Sequence, residues 1–405
     1  MRAYERFLKY VKYDTQSSEA SEINPTTEKQ FALAKVLAKE LTALGAKDVK
    51  CSDKCYVTAK IPATLGCEGK PSIGFIAHID TSPDFPGENV NPIIHKCYKG
   101  GDVALGDSGL TLTVEQNPHL KGLVGMDLIT TDGKTLLGAD DKAGVAEIMT
   151  AAEELLSGNI PHGPISIAFT PDEEVGMGTD NFVVEDFGAE FAYTVDGGAE
   201  NYIEYENFNA AGATFRINGV SVHPGNAKGS MINAALVATE IASALPSAET
   251  PANTEDYEGF YHLTDIGGDC SSAFLSYIVR DHDINLYKAK LGTLRHIEKV
   301  FREKYGTERV TLEIKEQYRN MKEQIEPCMH LIENAKAAIE AAGLTPGICP
   351  VRGGTDGARL SFMGLPCPNL GTGGYAFHGP LEHITVQGMD NAVKIILNII
   401  SLYTK

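Results

Sequence analysis

The chain has 405 residues, too many for one small core, and its 43% hydrophobic and 22% charged content is that of an ordinary globular protein of two domains. A formal net charge of −19 excludes nucleic acid as a partner, because phosphate binding needs a basic face. No apolar run reaches membrane-spanning length, charges throughout MRAYERFLKYVKYDTQ exclude a secretory signal, and eight scattered cysteines without a C-x-x-C pair fit free thiols in the cytoplasm.

Phe7, Leu8 and Val11 recur with helical spacing, so the chain is expected to open on a helix. A second helix is predicted from about Thr27, with Phe31, Leu33, Val36, Leu37, Leu41 and Leu44 apolar and Gly45 as its stop. Strands CYVTAKIPA and SIGFIAHIDT follow, then a helix from near Lys142 to Leu156, then strands PISIAFT and FAYTVDG. Strands interleaved with helices predict a layered α/β domain. From about Asn209 the pattern becomes β-α-β-β-α-β, a ferredoxin-like unit, with AAGATFRI first and RVTLEIK last. The return to helices, short strands and glycine-rich loops predicts a discontinuous first domain over 1–207 and 318–405, with 208–317 inserted.

Acids and histidines gather where these strands end. On SIGFIAHIDT, His78 and Asp80 share the face opposite Ile73, Phe75, Ala77 and Ile79. They read either as a core histidine held by a carboxylate or as a metal ligand oriented by one. In LLGADDKAG, Asp140 and Asp141 stand directly before a helix, where one acid is enough for a cap and the second is left over. TPDEEVG places Asp172, Glu173 and Glu174 side by side, and YTVDGG ends a strand on Asp196. Late in the chain YAFHGPLEH offers His378, with Glu382 and His383 close behind. His95, His119, His162, His262, His282, His296 and His330 lie in polar loops or on charged helix faces, which predicts surface roles. His78, Asp140, Glu173 or Glu174, Asp196 and His378 would therefore converge on one sheet edge, where sites of open α/β sheets lie. Two histidines with three carboxylates suit two zinc ions, one carboxylate bridging.

Six ordered motifs run along the chain: HIDT at His78, GADDKAG at Asp140, TPDEEVG at Glu173 and Glu174, TVDGG at Asp196, RGGTDGA at Arg352 and GGYAFHG at His378. With them the chain resembles the dinuclear-zinc family of aminopeptidases, carboxypeptidases and aminoacylases that includes carboxypeptidase G, and is nearest to its tripeptide aminopeptidases. The resemblance implies an α/β zinc-peptidase catalytic domain with an inserted ferredoxin-like lid through which two copies dimerise. It implies that His78 and Asp196 hold one zinc, Glu174 and His378 the other, and that Asp140 bridges both with a cis peptide to Asp141. Glu173 would be the general base and Asp80 the carboxylate that orients His78. His223 in SVHPG would steady the scissile carbonyl, often in the partner's site. Arg280 and Arg352 would hold the carboxylate of a short peptide, and Asn253 would match a lid asparagine. A dipeptidase or an N-acyl amino acid amidohydrolase shares this fold, and a non-catalytic binding protein is the rival of another class.

Overall fold

A computed structural model describes residues 1–21, 23–158 and 160–404; Lys405, where the predicted first domain ends, lies outside the described residues. The chain divides into two compact units, each described by itself. The first comprises Met1–Tyr205, Glu323–Cys349 and Thr355–Lys405, the second Glu206–Lys322 and Pro350–Gly354.

The first unit is built on an eight-stranded sheet. Its order is Lys47–Cys51, Val57–Ile61, Ile165–Thr170, Ile73–His78, Phe191–Gly197, Asn369–Gly371, Tyr202–Glu204 and Gly347–Ile348. The four strands from Ile165–Thr170 to Asn369–Gly371 run parallel. They are apolar on both faces, as parallel strands covered by helices must be; every residue of Ile73–His78 and Ile165–Thr170 is buried. Register brings the polar residues level: His78 pairs with Thr170, and Ile76 with Thr194, two residues before Asp196. The predicted second helix spans Gln30–Leu44 and stops at Gly45, whose φ of 98° is the left-handed cap expected of a glycine.

A smaller antiparallel sheet in the same unit joins Gly374–Tyr375, His383–Thr385, Leu128–Thr130 and Ile93–His95 in that order. His378 lies in the loop between its first two strands, and the chain from Leu128–Thr130 leads on to Asp140.

In the second unit the strands Phe260–Gly268, Ser272–Asp281, Asn209–Asn218 and Val310–Tyr318 form an antiparallel sheet in that order. Helices Ala234–Ser243 and Ile284–Tyr305 complete the β-α-β-β-α-β order. The second helix buries Tyr287, Leu291, Leu294, Ile297 and Phe301 against Phe215, Leu275 and Val279 of the sheet. Two histidines expected at the surface are buried instead: His162 is 2% and His282 6% exposed. The His282 ring lies against Phe208 and Tyr257 and its nitrogens reach the carbonyls of Tyr257 and Val351, so a polar sequence context concealed an aromatic pocket. Among the described residues no helix is long and apolar enough to cross a membrane.

Candidate metal centre

His78 ends the strand Ile73–His78, and Asp80 lies two residues beyond it. The His78 Nδ1–H faces the carbonyl oxygen of Asp80 at 3.1 Å and its Oδ1 at 3.3 Å, which leaves Nε2 as the free nitrogen. Asp80 also accepts the backbone N–H groups of Glu173 at 3.0 Å and Glu174 at 3.2 Å, and so ties two strand ends together.

The two aspartates of GADDKAG divide between a structural task and an open one. Asp140 and Asp141 have non-helical dihedrals, their peptide bond is cis, and the regular helix starts at Lys142. Asp141 caps it: Oδ1 accepts Gly144 N–H at 3.1 Å and Oδ2 accepts His78 N–H at 3.1 Å. Asp140 is thereby released to face the histidines. Gly144 lets the helix sit directly on the strand of Asp196, since a Cβ there would lie 1.8 Å from the Val195 carbonyl oxygen.

Asp140 lies between two imidazoles. Its Oδ1 is 2.8 Å from His78 Nε2 and its Oδ2 3.3 Å from His378 Nε2. Asp196 Oδ1 is 3.4 Å from His78 Nε2, and Glu174 Oε2 is 2.9 Å from His378 Nε2. The His378 Nδ1–H points at Asp84 Oδ2, 3.2 Å away, as that of His78 points at Asp80. Each Nε2 lone pair therefore meets carboxylate oxygens, an arrangement that repels unless a cation stands between them. Glu174 Oε1 is buried without a hydrogen-bond partner among the described residues. Imidazoles oriented by carboxylates, hard oxygen donors and an unpaired buried oxygen fit divalent metal ions.

Without a cation the electrostatics demand protons. Burial opposes a charge on His78, yet Asp196, Asp140 and Asp80 outweigh it and raise its pKa well above the ordinary value. The bonds from His378 to Asp140 and Glu174 raise it to about 11. Burial and then the charge of Asp196 lift the Glu173 carboxyl well above the usual carboxylate range. Glu173 is half-buried and stands outside the imidazole–carboxylate contacts; its Oε1 accepts the Asp356 N–H at 3.2 Å.

The sequence profile of Peptidase family M20/M25/M40 matches residues 130–402. Peptidase T of Clostridium perfringens is 53% identical over 405 residues, covering 100% of this chain and 99% of that protein. The chain belongs to the M20/M25/M40 peptidase family. Solved structures agree at the level of fold. The aminopeptidase PepT of Bacillus cereus ATCC 10987 superposes with a TM-score of 0.79 at 24% identity, over 100% of this chain and 98% of that one. A tripeptidase from Staphylococcus aureus Mu50 gives 0.77 at 22% identity over the same shares.

As a member of the M20 family the chain is a peptidase, and the residues its motifs singled out fall into two groups. His78, Asp80, Asp140, Glu173, Glu174, Asp196 and His378 lie together in the first unit. His223, Asn253, Arg280 and Arg352 belong to the second. His223 is exposed and its Nδ1 accepts Gly225 N–H at 3.2 Å. Asn253 is exposed and donates to Ser247 O and Thr250 Oγ1. Arg280 donates to Gln317 Oε1 at 2.8 Å with its guanidinium over the Tyr318 ring. Arg352 donates to the carbonyls of Asp256, Glu258 and Thr254 and to the Thr254 hydroxyl, and lies over Phe208 and Phe260.

Asp172, Asp84 and Glu382 escaped a reading by motif. Asp172 occupies the N-cap position of the short turn Glu173–Val175 but makes no side-chain cap bond. Its buried carboxylate accepts Thr26 N–H at 2.8 Å, the Thr26 hydroxyl, and Gln30 Nε2 at 2.6 Å. Asp172→Ala removes the acceptor of the buried Thr26 N–H and hydroxyl and of Gln30 Nε2, and is expected to destabilise the protein by about 3 kcal/mol, read from urea unfolding midpoints. A loss under about 1 kcal/mol, the size of an ordinary surface change, would contradict this anchoring role.

Proposed function

We propose that the chain is a two-metal aminopeptidase that releases the N-terminal residue of tripeptides, with zinc as the metal. The observation that carries the reading is the placement of His78 and His378 on the two oxygens of Asp140. In this reading His78 and Asp196 would hold one ion, Glu174 and His378 the other, and Asp140 would be shared between them. Two such ions would polarise the scissile carbonyl and let water ionise near neutral pH.

The chain's own residues do the rest. Glu173, outside the ligand contacts, takes the proton of the attacking water on its carboxylate and passes it to the leaving amine. Asp80 fixes the His78 tautomer and, through the Glu173 N–H, the position of the base. Arg280 and Arg352 bind the peptide's terminal carboxylate, which sets the length of substrate accepted. His223 steadies the scissile carbonyl, and Asn253 contributes from the same unit. That unit pairs two copies into a homodimer, and the enzyme works in the cytoplasm on peptides already cut short.

Support for the tripeptide preference comes from the motif resemblance and from full-length similarity to Peptidase T. Steady-state kinetics on di-, tri- and tetrapeptides and N-acyl amino acids tests it. We expect kcat/KM to be highest for tripeptides with a free amino terminus. A preference for acyl amino acids would establish the amidohydrolase reading instead, and no turnover by metal-loaded protein on any short peptide would establish the binding protein.

A further inference from the structure

Glu382 stands next to the metal centre, and both of its carboxylate oxygens are bonded to backbone amides. Its side chain is buried at 1% exposure. Oε2 accepts the N–H of Leu137 at 2.6 Å and of Gly138 at 2.8 Å, and Oε1 accepts that of Asp140 at 3.0 Å. The amides of Leu137, Gly138 and Asp140 converge where Gly138, at φ +78°, turns the backbone just before the helix. Such a concave set of amides suits an anion.

Glu382 also closes the loop that carries His378. Its own N–H donates to Gly379 O at 3.2 Å, and the next residue, His383, pairs with Thr130 across the small sheet. Asp140 lies in the segment that follows Thr130, and His378 in the loop that precedes His383. One carboxylate thus pins two segments that leave neighbouring strands, each carrying a donor for the same ion.

We propose that Glu382 is a positioning residue that sets Asp140 relative to His378 and thereby fixes how tightly the ion between them is held. The proposal rests on the two-ion reading of the site. It depends on a carboxylate in particular. Glutamine has the same shape but offers one acceptor oxygen and an NH2, so in either orientation it turns an N–H donor towards a backbone N–H.

Zinc titration of the apoprotein in competition with a chelating dye tests this, with E382Q beside the wild type and the thermal midpoint of each apoprotein recorded. The wild type should take up two ions, and E382Q should bind one of them about 10- to 100-fold more weakly. Excess zinc should restore turnover without a change in KM. A folded E382Q with both affinities at the wild-type value, even with a lowered midpoint, overturns the proposal, because a merely structural role would move only the midpoint. If E382Q does not fold, E382D decides: its carboxylate is drawn back by one methylene, so weakened binding of one ion supports the role and wild-type binding refutes it. A wild type that takes up fewer than two ions removes the two-ion reading itself, an outcome distinct from any behaviour of the variants.

Discussion

Replacing Glu173 with glutamine is expected to lower kcat by about 10²- to 10⁴-fold while the protein still binds two metal ions. The two adjacent glutamates differ in what they face. Glu174 Oε2 lies 2.9 Å from His378 Nε2, whereas Glu173 pairs with neither imidazole among the described contacts and accepts the Asp356 N–H. Glutamine retains an oxygen for that N–H and the same volume, so the fold has no reason to change. It cannot take up a proton. Burial and Asp196 raise the carboxyl's pKa in the metal-free protein, and bound dications would draw it back towards the value a base near neutral pH requires. Kinetics on a tripeptide and elemental analysis of dialysed protein check both halves. A variant that loses an ion would place Glu173 among the ligands and leave Glu174 as the base.

Stripping the metal with a chelator is expected to abolish turnover and lower the unfolding temperature, both reversed when metal is returned. At a free concentration a hundred times its Kd, each ion contributes about 2.7 kcal/mol to stability. The metal-free protein should also respond to pH in a definite sense. Burial, then the charge of Asp140, raises Glu174 to about 7, and burial raises Asp196 to about 6; His378 is raised to about 11. A group with a raised folded-state pKa holds a proton that the unfolded chain has released, so its stabilisation fades as pH rises through that window. Asp140, where the bonds to His378 and His78 outweigh burial and lower the pKa, acts the other way only below its ordinary 3.8. Chelated protein should therefore unfold more easily at pH 8 than at pH 6. Metal-loaded protein should show the opposite trend, because its ligands bind metal only after losing their protons. Melting curves at the two pH values decide, and an apoprotein more stable at pH 8 would contradict the assigned charges.

The α/β class and the family were legible because the informative residues are local. His78 with Asp80, the paired aspartates and the DEEVG run each announce themselves within a few positions of a strand end. The division of labour inside each pair was less accessible. Asp141 rather than Asp140 caps the helix because its oxygens meet Gly144 and His78 N–H groups, a choice set by backbone dihedrals that residue type does not encode. Asp172 and Glu382 were invisible for another reason. Their partners lie at least 142 and 242 residues away, and a lone acid carries no mark of which distant amide it will meet. The buried His162 and His282 misled because polar neighbours in sequence were not their neighbours in space.

The contacts of the first thirty residues reach three of the segments that build the centre. Lys142 Nζ donates to Tyr13 O, Ser17 N–H to Thr81 O, and Thr26 N–H to the Asp172 carboxylate. Thr26 and Asp172 are separated by 146 positions, so on the ribosome the N-terminal stretch emerges long before its partner exists. At 5–20 residues per second that interval is roughly 7 to 30 s. For that time Thr26 and Gln30 have no native acceptor at Asp172, and closing this non-local contact carries a loop-closure cost. His378 follows Asn369–Gly371, the last strand of the eight-stranded sheet in chain order, so the full set of residues at the centre exists only once every strand of that sheet has been synthesised.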